Sequence, residues 1–92
     1  MSERIAAALA LAKALIDRPE KWRKGASSKT DTAICASQAI YEVSGTPISA
    51  LQSLRAAIGG KRIVGWNDAP ERTHAEVMAA FDLAIAAERD EA

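Results

Sequence analysis

Thr73, His74, Ala75 and Glu76 spell a capping box, T-x-x-E, and no other four residues fix as much about what this chain can fold into. In that pattern the Thr hydroxyl accepts from the backbone N–H three residues on, and the Glu carboxylate reaches back to the Thr N–H. A helix therefore starts at Thr73. An overlapping start uses Asp68 and Glu71, with Pro70 in a first turn that needs no amide donor from it. Wound at about 100° per residue, the positions from 73 to 89 place Val77, Met78, Phe81, Ala84 and Ile85 on one stripe, with His74 inside it. The chain's one histidine is thus expected to point inward. Directly ahead of the helix lies a polar, aromatic-headed segment, Trp66-Asn67-Asp68-Ala69-Pro70-Glu71-Arg72.

The preceding positions carry the same helical period. A first helix is expected from Ser2 or Glu3 to Asp17, with Ile5, Leu9, Ala12 and Ile16 on one seam and Ala8, Leu11 and Leu15 on a second beside it. Together they make an apolar face of about 160°, wider than the usual ~100° stripe, which suits a central helix touching two neighbours. Asp17-Arg18-Pro19-Glu20 marks a stop and a new start, with Asp17 as cap, and a short helical turn carries Trp22. Residues 23 to 30, rich in Lys, Ser and Gly, read as a basic loop. A second helix is expected from Asp31 to Val43, burying Ala33, Ala36, Ala39, Ile40 and Val43. Ser44-Gly45 ends it, and Thr46-Pro47 or Ser49-Gln52 begins a third, which buries Leu51, Leu54 and Ile58 until Gly59-Gly60. Ile63 and Val64 read as a short extended crossing.

These elements predict an all-α fold: one domain over 1–92, a small bundle of four main helices plus a short helical turn. Half the residues are hydrophobic, yet only four are aromatic and many are Ala, which favours closely packed helices over sheets. No apolar run is long enough to span a bilayer, and no charged-then-apolar leader is present. A single cysteine, Cys35, allows no internal disulfide, so the expected compartment is the cytoplasm. Formal net charge is zero, but residues 1 to 62 hold ten of the twelve Lys and Arg and five of the twelve acids. The two parts should attract each other within one molecule or across a dimer.

The run W-N-D-A-P-E-R-T-H-A-E-V over 66–77 resembles the C-terminal signature of a small, uncharacterised family of bacterial and phage proteins. That family also carries an upstream W-x-x-G-A element, matched by Trp22 to Ala26, and a helix reading roughly W-C-A-x-G-A-L, matched by Ile34 to Ile40. The chain departs from it at Ile34, where an aromatic is usual, and at Gln38, where a glycine is usual. The resemblance implies a small helical fold and no defined activity.

Three functional readings follow. The favoured one is a small non-enzymatic binding or accessory protein, self-associating or with a protein partner, in which the 66–74 loop is a structural clasp and a recognition surface through Trp66, Asn67, Asp68, Arg72 and His74. It needs no cofactor, metal or membrane. Self-association is suggested by Leu83, set among Ala79, Ala86 and Ala87 on the rear of the last helix. The second reading is a nucleic-acid-binding regulator using a helix-turn-helix-like 33–62 region. Its third helix offers only Gln52, Ser53 and Arg55 to read bases, with Lys61-Arg62 beyond. The third is a small hydrolase or metal site at Asp68, His74 and Cys35, although one His and one Cys far apart match no zinc spacing.

Overall fold

The computed structural model describes residues 2–25, 32–43, 45 and 47–89. Its α-helices are α1 (Glu3–Leu15), α2 (Ala36–Val43), α3 (Pro47–Ala57), α4 (Ile63–Asp68) and α5 (His74–Arg89), with a 3-10 turn at Pro19–Lys21. The fold is all-α: α1, α2, α3 and α5 are the four main helices, and the 3-10 segment is the short turn ahead of Trp22.

Helix α1 starts where Ser2 Oγ accepts from the Ile5 N–H at 3.1 Å. It packs against α2, α3 and, most extensively, α5. The seam it buries is Ala6, Leu9, Ala12 and Ile16. The expected second seam is wrong at its large residues: Leu11 is 58% exposed and Leu15 lies at the surface. Small residues at positions 6 and 12 let α5 approach closely, and that contact decides which side of α1 is sealed. The two helices run antiparallel. Lys13 bonds Asp82 at 2.6 Å, Arg89 lies 3.5 Å from Glu3, and the Ser2 N–H donates to Glu88. Lys13–Asp82 joins the basic front to the acidic rear within one molecule while Arg89–Glu3 runs the other way, and such exposed pairs contribute little to stability.

After α1 the cap position of the 3-10 turn falls on Arg18, not Asp17, and no side chain bonds there. Trp22 then pairs with Ile34 as an isolated parallel bridge. Arg23 N–H donates to Ile34 O at 3.2 Å and Ile34 N–H to Lys21 O at 3.0 Å. This short extended contact corrects the second helix. Residues 32–35 are not helical and α2 begins at Ala36, while the expected start at Asp31 lies outside the described residues. So do the 26–30 part of the basic loop, Ser44 and Thr46. Helix α3 ends as anticipated: Gly59 and Gly60 take φ of +81° and +83°, and the Gly60 N–H returns to Arg55 O at 2.8 Å.

The other correction is α4. Residues 63 and 64 open a helix and do not cross in extended form. An Ile-Val-Gly start has poor helix propensity, and Arg62 supplies no side-chain cap. The turn is held instead by burial of Ile63 and Asn67, four residues apart on one face.

Candidate functional site

The capping box forms as its spacing requires. Glu76 N–H donates to Thr73 Oγ1 at 3.2 Å and Thr73 N–H to Glu76 Oε1 at 2.9 Å. The Thr73 N–H holds the Glu76 carboxyl below its ordinary range, with desolvation opposing it and the Arg72 guanidinium adding to the lowering. A carboxyl whose folded pKa is depressed stabilises the fold above its unfolded pKa and loses that contribution as pH falls through the folded value. Stability should therefore decline on the acid side of 4.5, the ordinary value. Glu76→Gln should flatten that part of the limb in a pH series of urea midpoints.

Asn67 sits at the centre of the segment and is completely buried. Its Oδ1 accepts from the Trp22 indole Nε1–H at 2.6 Å and from the Ala36 N–H at 3.2 Å. Its Nδ2 donates to Arg23 O at 3.1 Å and to Asp68 Oδ1 at 2.9 Å. Both donors and both acceptor positions of the amide are thereby used. One side chain thus caps the start of α2, fixes the Trp22 ring and ties α4 to the 22–25 segment. Asp68 continues the network, accepting from the Gly25 N–H at 2.7 Å where Gly25 has a φ of +86°. Lys24 Nζ reaches Pro70 O at 2.9 Å. The three sequence segments that carried the family resemblance are therefore brought to one junction.

Trp66 and Arg72 form a second knot. The guanidinium lies 4.2 Å from the Trp66 ring centroid, Arg72 Nε donates to Trp66 O at 2.8 Å, and Nη1 lies 3.3 Å from Glu76 Oε1. His74 is half-buried, inward as its place in the stripe implies. Its Nε2 lies 2.7 Å from Ile16 O. A carbonyl only accepts, so Nε2 carries the proton. The imidazole thereby satisfies a carbonyl left over at the end of α1, with the Trp22 ring 6.1 Å away. Deleting it as His74→Ala should cost about 1–2 kcal/mol in urea unfolding.

Cys35 is buried with Sγ 3.4 Å from Ser37 Oγ. Asp68, His74 and Cys35 each bond different partners, and no hydrogen bond joins any two of them among the described residues. Nor do the described residues bring three His, Cys, Asp or Glu side chains together at metal-binding range.

An apolar concavity lies elsewhere, between α2, α3 and α4. It measures about 560 Å³, with Leu51 and Ile63 in its floor and Tyr41, Ile48 and Val64 on its rim. Those three rim residues are 56%, 68% and 57% exposed. Arg55 and Arg62 stand at its edge, and none of its lining residues is acidic. A shallower cleft continues from Arg62 and Gly65 to Trp66 and Arg72. The helix-turn-helix alternative draws on Gln52, Ser53 and Arg55, with Lys61-Arg62 beyond, and takes no account of the apolar rim. The missed signal is angular: Ile48 lies about 120° from the centre of the α3 stripe, and Tyr41 farther still from that of α2. Large apolar side chains so placed are left outside the core.

A model of a family of unknown function (DUF6197) matches residues 1–87. No curated protein and no solved structure matches the chain.

Proposed function

We propose that this chain, which belongs to that family of unknown function, is a small non-enzymatic binding module whose partner docks in the groove between α2, α3 and α4. One observation carries the reading. The polar groups of the 66–76 segment are engaged in holding the fold together, whereas Tyr41, Ile48 and Val64 stand exposed around an apolar groove. A folded chain that leaves a contiguous rim of large apolar residues in water marks that face for a partner. The 66–74 segment is the clasp that holds α4, and with it one groove wall, in place. Recognition then falls to Trp66 and Arg72 only where the surface continues past Arg62. On this reading the protein is cytoplasmic, and the 66–77 motif is a signature of the family in bacteria and phages, because it supplies the junction on which its other two segments converge.

Ile48→Asp tests the reading. Ile48 is two-thirds exposed, so the change should shift stability by less than about 0.5 kcal/mol. A photo-cross-linking residue at position 41 in the full chain, expressed in its native cells, should give an adduct that Ile48→Asp abolishes. The same residue at Leu83, on the rear of α5, should give none. Adducts at 83 alone would move the interface to α5 and overturn the reading. A nucleic-acid regulator is less well supported, because Ile48 and Tyr41 occupy the places on α2 and α3 where base-reading polar side chains are needed.

A further inference from the structure

We infer that the groove receives an acidic amphipathic helix of a partner protein, an inference that rests on the binding reading above and names its chemistry. The rim extends beyond the concavity, since Tyr41, Ile48 and Val64 remain more than half exposed around a floor of Leu51 and Ile63. A small ligand in the floor would leave that rim wet. An amphipathic helix laid across it places apolar side chains at i, i+3, i+4 and i+7 into the floor and covers the rim with its flanks. The sign of its flanks follows from the edge. Arg55 and Arg62 face the groove and none of its lining residues is acidic. The Arg62 guanidinium has no hydrogen-bond or ion-pair partner among the described residues, only the residue's carbonyl being engaged, by the Trp66 N–H, and Arg55 is steadied through Nε by Gly60 O at 2.9 Å, which leaves its Nη groups for a carboxylate. Arginine and tyrosine at the border of an apolar patch are the residue types that anchor protein interfaces. A second copy of this chain fits less well. The α5 carboxylates near its exposed Leu83 are engaged at home: Asp82 with Lys13, Glu76 with Thr73 and Arg72, Glu88 with the Ser2 N–H.

The test uses two fluorescein-labelled, hydrocarbon-stapled peptides of about 15 residues, roughly four helical turns. Both carry leucines at i, i+3, i+4 and i+7, one flanked by glutamates and the other by lysines. Fluorescence polarisation with the full chain should show the glutamate peptide binding at least about tenfold tighter, a preference that shrinks with added salt. Arg55→Glu/Arg62→Glu should reverse the preference, and Ile48→Asp should remove binding of both. Because Arg55 also bonds the α3 terminus, the single Arg62→Glu carries the reversal test should the double variant fail to fold. Equal affinity for the two peptides, still lost in Ile48→Asp, would sink the acidic partner and leave the groove standing. Binding of neither at about 1 mM would sink both. Retention of duplex DNA that Arg62→Glu abolishes, or a dimer in sedimentation that Ile48→Asp dissolves, would give the face to another occupant and overturn the inference.

Discussion

Asn67→Ala should lose about 3–5 kcal/mol of unfolding free energy, a large share of what a 92-residue domain possesses. The substitution removes four hydrogen bonds from a site with no access to water, and the penalty lies in what remains. The Trp22 indole N–H and the Ala36 N–H lose their acceptor, and Arg23 O loses a donor. The two N–H groups are left without that acceptor, at about 1–3 kcal/mol apiece where the structure cannot relax. Asn67→Asp gives a sharper version. It keeps an acceptor for Trp22 and Ala36 but turns an oxygen towards Arg23 O and the Asp68 carboxylate. That variant should be weak at neutral pH and recover in acid, since burial beside another carboxylate raises its folded pKa and protonation restores a donor. Chemical denaturation at two pH values checks both results. An Asn67→Ala protein melting with the wild type would remove the junction from the account.

Phe81→Ala should cost a similar amount, about 3–5 kcal/mol. Phe81 is fully buried and is the largest such side chain in the core. Many of its fellow core residues are alanines, among them Ala12, Ala36, Ala39, Ala50, Ala80 and Ala84. Alanines have no rotamers with which to collapse into a vacated ring-sized space, so most of the cavity should persist. The shift in urea midpoint, with an unchanged slope, is the measurement. A loss below about 1 kcal/mol would mean that α1, α3 and α5 close over the gap.

The contrast between these two sites shows what the amino-acid order discloses. Phe81 lies on a stripe that the helical period exposes at once. The capping box, the Ser2 cap and the Gly59-Gly60 stop are likewise local, each written within a few residues and each formed. Asn67 is different, since its partners lie 31 to 45 positions away except for its neighbour Asp68. Position 67 was legible as a polar residue in a marked segment, but nothing nearby in sequence tells a sealed amide from an exposed one. Helix α4 was hidden for the same reason, because its stability comes from that amide and from Ile63 more than from its own propensities. The inward His74 was visible in the stripe, while its acceptor at the end of α1 was not. In α1 the period offered two seams, and only the approach of α5 chooses between them.

The placement of the two tryptophans has an optical consequence. They are the chain's only indoles. One donates to Asn67 and the other lies beneath Arg72, so intrinsic emission watches the junction of α4 and, of the seam between α1 and α5, only its end at His74. Circular dichroism, in contrast, is weighted towards the longer helices. Emission and ellipticity followed through one titration therefore act as separate gauges, and a lag between them would date the opening of the groove wall relative to the melting of the bundle.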